Sequence, residues 1–285
     1  MAFPTSEKQR LKKQYGPWAV VTGASSGIGR ALALRLAEAG IDLVVTARSV
    51  PLLDTLAASL RSSYGVSVRV VPADLADPAA VRALVAACAD LDVGLLVAAA
   101  GYGTSGSFLD AVPETELDMI QVNCAAPLVL TRHFAGIFAQ RGRGGIVLLG
   151  SLVGFQGVPY AAHYAATKAY VQSLAEALAV ELRPRGVDVL AVAPAPVASG
   201  FAQRADMQMG MALRPEDIAL PVLRSLGRRD TVLPGLLSKV LVWSLRTVPR
   251  WAKVRIMARI MGGMTQHQRD TRLPVGDASP GPLRA

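Results

Sequence analysis

Short apolar runs with β-branched residues alternate along this chain with segments of helical pattern. Trp18 to Thr22 is the first such run, Arg30 to Ala39 reads as a helix closed by Gly40, and Ile41 to Thr46 is the next run. Runs of this length are typical of buried strands, and strands that alternate with helices form βαβ units. The sequence therefore predicts an α/β fold with a doubly wound parallel sheet, covered by helices on both faces.

The alternation continues to about residue 233. Further strands are predicted at Val66–Val71, Val93–Ala98, Ile146–Leu149, Val187–Ala193 and Thr231–Leu233. Further helices are predicted at Leu52–Leu60, Ala79–Ala89, Glu114–Ala139, Ala161–Arg183 and Pro215–Leu226. We expect a polar lead over residues 1–16, one dinucleotide-binding and catalytic domain over 17–235, a helical extension over 236–270 and a flexible tail over 271–285.

Composition excludes several classes of protein. With 52% hydrophobic and 18% charged residues the chain can bury a large core. Its two cysteines, Cys88 and Cys124, make no disulfide framework, and no metal-ligand spacing is present, so no metal site is predicted. The polar N-terminus does not read as a signal peptide, and no run of eighteen apolar residues appears. We expect a cytoplasmic protein, or one peripheral to a membrane.

The positive charge is confined to one segment. The net charge is +9, and residues 224–272 hold eleven Lys and Arg against two Asp, so the remainder of the chain is about neutral. A basic charge spread over a whole domain would suggest nucleic acid, and we predict no such partner here. Within 236–264, apolar residues alternate with basic ones, and Pro249 divides the segment into two basic amphipathic helices. These helices could contact an anionic membrane, cover a substrate pocket or form a subunit interface.

A glycine-rich turn joins the first strand to the first helix. Gly23, Gly27 and Gly29 have the spacing G-x-x-x-G-x-G. Glycine lets the backbone approach a pyrophosphate closely, and the N–H groups at a helix N-terminus attract its negative charge. A strand before and a helix after this turn indicate a dinucleotide site, as in a Rossmann fold.

The end of the second strand indicates which dinucleotide binds. A site for NAD places an acidic side chain there, to bind the ribose hydroxyls. This chain has Arg48 and no acid, and a guanidinium suits a 2′-phosphate. We therefore favour NADP(H), with NAD(H) as the alternative. Asp74 and Leu75 after the third strand, and Ala98 to Gly101 after the fourth, are predicted to lie along the same edge of the sheet.

Tyr164 and Lys168 lie four residues apart in a predicted helix, so they share one helix face. A nearby ammonium favours the phenolate, and the pKa of Tyr164 is therefore expected to fall from its usual value of about 10. A tyrosine with such a pKa can donate and accept a proton near neutral pH.

These motifs together resemble those of the short-chain dehydrogenase/reductase family. The resemblance runs from about Trp18 to Val232 and includes the segment from Thr22 to Gly29, Asn123, Ser151 thirteen residues before Tyr164, and Tyr164 to Lys168. It implies that Tyr164 is the catalytic acid/base and that Lys168 lowers its pKa and binds the nicotinamide ribose. It further implies that Ser151 orients the substrate and that Asn123 seats a water in a proton relay.

The resemblance also implies a homodimer or homotetramer and a set of cofactor contacts. These contacts are Gly23, Ser25, Ser26, Gly27, Ile28, Gly29, Arg48, Asp74, Leu75, Ala99, Ala100, Gly101, Tyr164, Lys168, Pro194, Val197 and Ser199.

Three positions depart from the family pattern. Ala98 to Gly101 replaces Asn-Asn-Ala-Gly, which is expected to loosen the end of the fourth strand. Pro194-Ala195-Pro196 replaces a Pro-Gly turn, and Ser199 stands where the family has threonine. Ser26 is not basic, so the preference for NADP(H) rests mainly on Arg48.

Three loops, 102–110, 152–163 and 197–213, are expected to line the substrate pocket. Their side chains are mainly apolar: Leu152, Val153, Phe155, Val158, Phe201, Met207, Met209 and Met211. The sequence thus predicts an NADP(H)-dependent oxidoreductase that interconverts an apolar ketone or aldehyde and its alcohol by hydride transfer. An NAD-dependent alcohol dehydrogenase and a non-catalytic dinucleotide-binding sensor are the alternatives.

Overall fold

Seven parallel strands form one sheet in the order β3-β2-β1-β4-β5-β6-β7. The computed structural model describes residues 3–210, 212–244 and 247–270. The strands are β1 Trp18–Thr22, β2 Asp42–Thr46, β3 Val68–Val70, β4 Val93–Ala98, β5 Gly144–Leu149, β6 Val187–Val192 and β7 Thr231–Val232. The strand order reverses between β1 and β4, and ligands of open α/β sheets bind at the carboxyl edge of such a point.

Helices cover both faces of this sheet. They are α1 Thr5–Tyr15, α2 Gly27–Glu38, α3 Val50–Tyr64, α4 Pro78–Ala86, α5 Pro113–Ile120, α6 Ala126–Arg141, α7 Ala162–Leu182, α8 Phe201–Arg204, α9 Pro215–Ser225, α10 Gly235–Ser244, α11 Arg250–Met264 and α12 Gln266–Asp270. Side chains of α2, α3 and α9 share one hydrophobic cluster, and those of α4, α6 and α7 share the other. The predicted doubly wound fold in a single domain is confirmed.

The central strands are apolar along their whole length because helices bury them on both sides. Every residue of β4 and of β5 is buried. Such strands lack the alternation of apolar and polar residues that a half-exposed sheet shows, and their sequences are continuous runs of Val, Ile and Leu. The predicted strands all exist, although β3 is shorter than predicted and ends at Val70.

The segment before β1 is a helix, which the sequence analysis treated as a polar lead. Leu11 and Tyr15 of α1 are fully buried, and the remaining side chains of the helix are mainly polar. The Tyr15 hydroxyl donates to Asp188 over 2.8 Å, and Arg10 donates to the carbonyls of Leu223 and Leu226 at the end of α9. With only two fully buried positions, α1 has too weak an apolar stripe to be predicted.

The predicted helix Glu114–Ala139 is divided in two by a π-helical turn, Gln121–Ala125. Pro127 has no N–H to donate to the carbonyl of Asn123, so a regular α-helical ladder cannot continue through this point. The whole stretch Pro113–Arg141 is, among the described residues, the one helix long and apolar enough to cross a membrane. Half of its most apolar window is buried, and α6 packs in the core, as the core helix of a water-soluble fold does.

The predicted extension forms α10, α11 and α12. Met261 of α11 is buried with Val158 and Ala161, from the segment between β5 and α7, and with Ala165 near the start of α7. The extension therefore packs on the domain that carries the sheet. The predicted flexible tail, 271–285, lies outside the described residues.

The buried face of α1 leads to a prediction about stability. We expect Leu11→Ala to lower the free energy of unfolding by about 2–5 kcal/mol, because it leaves a cavity where the leucine side chain is fully buried. Lys13→Ala, at an exposed position of the same helix, should change it by less than about 0.5 kcal/mol. Urea unfolding followed by circular dichroism measures both; equal effects would show that α1 is not part of the folded core.

Candidate active site

The glycine turn brings the backbone of β1 and α2 close to the end of β4. Gly23 has a φ of +66°, and a Cβ there would lie 2.8 Å from the Cα of Ala100. A Cβ on Gly29 would lie 2.3 Å from the carbonyl oxygen of Gly23. Neither position can hold a side chain, and α2 therefore begins directly beside the end of the sheet. Its first N–H groups border the cavity described next.

A cavity of about 970 Å³ lies along the carboxyl edge of the sheet. It is lined by every residue assigned above to cofactor contact, from Gly23 to Ser199, and by Ser151. The glycine turn, the ends of β2, β3 and β4 and the catalytic pair thus border one continuous space. The sequence placed these residues at one sheet edge, and the structure brings them together there.

The end of β4 is held in place without the amides expected in the family. The backbone N–H of Ala100 donates to the Thr22 hydroxyl over 3.0 Å. Thr22 is itself buried at the end of β1. Thr22 thus ties this end of β4 to its neighbouring strand, and a loosening by the absent amides stays a prediction.

Tyr164 lies inside the cavity wall, between two close neighbours. Its ring centroid lies 5.1 Å from that of Phe201. A Cβ on Gly103 would lie 2.9 Å from the tyrosine ring, so only glycine leaves room for the ring at that position. The Ser151 hydroxyl, from the end of β5, is close enough to the phenol to lower its pKa.

Lys168 is buried one helical turn after Tyr164. Its ammonium donates to the carbonyl of Leu149, the last residue of β5, over 2.8 Å. The nitrogen lies 5.8 Å from the centroid of the Tyr164 ring. Burial lowers the pKa of Lys168 to about 8, because the charged form loses its hydration.

The predicted fall in the pKa of Tyr164 is wrong for this arrangement. Burial raises that pKa above its ordinary value, and the nearby Ser151 hydroxyl offsets the increase only in part. The ammonium of Lys168 is held by the carbonyl of Leu149 and does not compensate for the desolvation of the phenol. Tyr164 is therefore protonated at neutral pH and available as a proton donor.

Asn123 lies behind the cavity and not in its wall. Its side chain accepts from the N–H of Tyr102 over 3.1 Å and donates to the Tyr102 carbonyl over 2.8 Å. It also donates to the Thr167 hydroxyl over 3.0 Å. The π-helical turn directs this amide into the protein, where it joins the segment after β4 to α7. Its part in a water relay stays a prediction.

Two guanidinium groups border the cofactor half of the cavity. Arg48 is exposed at the end of β2, and Arg204 of α8 stacks on the Tyr102 ring at 3.7 Å. Burial lowers the pKa of Arg204, and the positive charge of Arg48 lowers it further. Within the ranges that the structure describes, neither forms an ion pair with a carboxylate. Arg204 was not among the predicted cofactor contacts. Its only signal in the sequence is that it is a cation in a loop expected to be apolar.

The other half of the cavity is apolar and is closed by the extension. The predicted residues Leu152, Val153, Phe155, Phe201, Met207 and Met209 line it. Covering the pocket was one of the three roles left open for the extension, and α11 lines the cavity through Met257, Met261 and Met264. These methionines were not named from the sequence, although their spacing of four and three residues indicates one helix face. Val158 is buried behind this wall and does not line the cavity. Met211 lies outside the described residues.

The loop that carries α8 is fastened to α12. The side chain of Gln268 donates to the Ser105 hydroxyl over 3.0 Å and to the carbonyl of Asp206 over 2.6 Å. The ring of His267 contacts the Asp206 carboxylate at 3.0 Å. Two loops that flank the apolar half are thus held by the end of the extension.

Comparison with known proteins agrees with this geometry. Residues 17–210 match the profile of the short chain dehydrogenase family. A 7beta-hydroxysteroid dehydrogenase from Clostridium sardiniense is 32% identical over 233 residues, which are 80% of this chain and 89% of the relative.

Two solved structures are similar over nearly the whole chain. A short-chain dehydrogenase from Sphingobium yanoikuyae in complex with NADPH has 32% identity and a TM-score of 0.74, covering 93% of this chain and 99% of its own. The bulky-bulky ketone specific alcohol dehydrogenase from Comamonas testosteroni has 32% identity and a TM-score of 0.70, covering 92% of this chain and 97% of its own.

The family profile covers more than half of the chain, and the sheet order and cavity agree with it. This chain therefore belongs to the short-chain dehydrogenase/reductase family and is an oxidoreductase with an NAD(P)-binding fold.

Proposed function

We propose that this protein uses NADPH to reduce a bulky apolar ketone or aldehyde to its alcohol, in a reversible reaction. One observation carries the proposal: a single cavity joins the glycine turn to a chamber lined mainly by apolar side chains, with Tyr164 and Ser151 between the two halves. A substrate carbonyl in the chamber can therefore approach both hydroxyls while its apolar body contacts methionine and aromatic side chains.

The cofactor half fits a dinucleotide. The close approach of Gly23 to Ala100 and the start of α2 leave backbone N–H groups available to a pyrophosphate. Small residues, Ala99 to Gly101, form the adjoining floor. A bound nicotinamide supplies the hydride in reduction and takes it in oxidation. Lys168 and Ser199 border this half from the catalytic side.

The proton chemistry belongs to Tyr164. As the carbonyl oxygen gains negative charge, the phenol donates its proton and Ser151 donates a hydrogen bond to the same oxygen. The raised pKa of Tyr164 suits this direction, because the phenol stays protonated until the substrate oxygen becomes the stronger base. The charge of Lys168 then stabilises the phenolate that remains.

The preference for NADPH over NADH rests on charge. Arg48 occupies the position where an NAD site has a carboxylate, and Arg204 adds a second positive charge nearby. Two guanidinium groups favour a 2′-phosphate, which carries about two negative charges and can bind a guanidinium fork. The similarity to a dehydrogenase in complex with NADPH supports this choice.

The substrate class rests on the lining and size of the chamber. Of the similar proteins named above, one is a 7beta-hydroxysteroid dehydrogenase and another is specific for bulky-bulky ketones. Methionines at five lining positions, Met207, Met209, Met257, Met261 and Met264, give this wall adaptable side chains. A panel of bulky ketones and aldehydes, assayed with NADPH and NADH side by side, tests the proposal; no turnover of any member with either cofactor contradicts it.

Removing the phenol separates chemistry from binding. We expect Tyr164→Phe to lower kcat by at least about 100-fold, because the proton donor is lost. The Kd for NADPH, measured by protein-fluorescence quenching, should stay within about threefold. Tyr170→Phe, on the same helix but outside the cavity, should keep wild-type kcat. Retained turnover in Tyr164→Phe would refute the assigned role.

Reversing the charge at residue 48 tests the cofactor preference. We expect Arg48→Asp to raise the Kd for NADPH by about 10-fold or more and to leave the Kd for NADH unchanged or lower, because only NADPH carries the 2′-phosphate. Arg82→Asp, an exposed charge reversal on α4 away from the cavity, should change neither constant. Equal changes for both cofactors would place Arg48 outside the 2′-phosphate site.

A further inference from the structure

Three apolar side chains of helix α10 point outward. Leu236, Val240 and Trp243 lie on one face, and they are 76%, 50% and 76% exposed. Ser238, on the inward side, is fully buried, accepts from the N–H of Ala195 over 3.0 Å and donates to the carbonyl of Pro234. A surface helix of a globular protein normally has the reverse pattern, so the outward face needs an apolar partner.

Helix α11 also exposes both apolar and basic side chains. Trp251 is 64% exposed, and Arg255 stacks over its ring at 5.1 Å. Ile256, Arg259 and Ile260 are also exposed on this helix. We give the name outer face to nine of the exposed residues of the two helices: Leu236, Lys239, Val240, Trp243, Trp251, Arg255, Ile256, Arg259 and Ile260.

The charge along the segment that carries the outer face has one sign. Between Asp230 and Asp270 the sequence contains no Asp or Glu and seven Lys and Arg residues. Apolar side chains among cations, with tryptophans beside them, suit the boundary between lipid headgroups and acyl chains. The lysine and arginine side chains can extend to anionic headgroups while the apolar residues enter the acyl layer.

The outer face also borders the mouth of the cavity. Leu241 of α10 and Ile260 of α11 line the cavity, and they are 36% and 42% exposed. Lys253 lines it as well and adds a positive charge to this side. A molecule that enters the cavity on this side contacts the same two helices, α10 and α11, that carry the outer face.

We propose that α10 and α11 dock the protein on the surface of an anionic lipid bilayer, with the mouth of the cavity next to the lipid. A second copy of the chain fits less well, because a symmetric contact through this face would oppose cations to cations. The docking itself does not depend on the reaction. The further step, that an apolar substrate enters from the bilayer, rests on the function proposed above.

Vesicle flotation with the full-length protein tests the docking. We expect binding to vesicles that contain phosphatidylglycerol to be at least about 10-fold stronger than to phosphatidylcholine vesicles, and to weaken as salt rises. The double variant Leu236→Ser with Trp243→Ser and the double variant Arg255→Glu with Arg259→Glu should each lower that binding by at least about 10-fold. None of these four side chains lines the cavity, so turnover of a water-soluble ketone should remain at the wild-type level.

Matched variants elsewhere control for general effects. Phe108→Ser with Leu109→Ser removes side chains that are 69% and 93% exposed outside the outer face, and Arg82→Glu with Arg185→Glu reverses two distant charges. Both controls should bind vesicles as the wild type does. Absence of binding, equal binding to both lipids, or retained binding in the outer-face variants overturns the proposal. A dimer in solution that the Leu236→Ser, Trp243→Ser variant abolishes, without vesicle binding, would assign the face to a second copy.

These measurements are separable from the proposed reaction. Flotation requires no turnover, so an inactive protein that binds anionic vesicles refutes only the proposed reaction. A protein that reduces ketones but does not bind vesicles refutes only the docking.

Discussion

The hydrogen bond from the Lys168 ammonium to the Leu149 carbonyl connects the two parts on which the active site depends. A buried ammonium requires acceptors, and the end of β5 supplies one at 2.8 Å. The contact fixes α7 against the carboxyl edge of the sheet, which sets the position of Tyr164 relative to Ser151 at the end of the same strand. Gly154 adds to this fit, because a Cβ there would lie 2.8 Å from the backbone of Lys168. The Tyr164 and Ser151 hydroxyls are therefore positioned by packing at the sheet edge and not by loop contacts alone.

Local spacing made much of the fold and site predictable from the sequence. The glycine turn, the Tyr164–Lys168 pair and the strands each depend on residues close together in the chain, so their patterns are visible without tertiary information. Helix α1 and the position of Arg204 were not predictable in this way. Only Leu11 and Tyr15 are fully buried on α1, and Arg204 comes close to Arg48 only because the loop after β6 folds back over the site. The direction of the Tyr164 pKa shift depends on burial, which sequence spacing does not report.

The two halves of the cavity follow different physical rules. The cofactor half is built from backbone, with glycines and alanines whose close packing leaves little freedom for substitution. The apolar half is built from long, flexible side chains, several of them methionines on α11 and on the loop after β6. A wall of this kind adapts to ligands of differing shape, whereas the backbone cradle holds one type of ligand in one position.

Gln268 lies far along the chain from the reacting groups, but its side chain bonds Ser105 and Asp206 in the two loops that flank the apolar half of the cavity. The two flanking loops also contact each other directly, because the Ser105 hydroxyl donates to the carbonyl of Ala205, and Gln268 braces this contact from near the end of the described chain. Changes in length or sequence past α11 can therefore widen or narrow the access route and leave Tyr164, Ser151 and Lys168 untouched. In evolutionary terms, the part of the cavity wall that α11 supplies can diverge independently of the reacting groups, since a separate stretch of the gene encodes it.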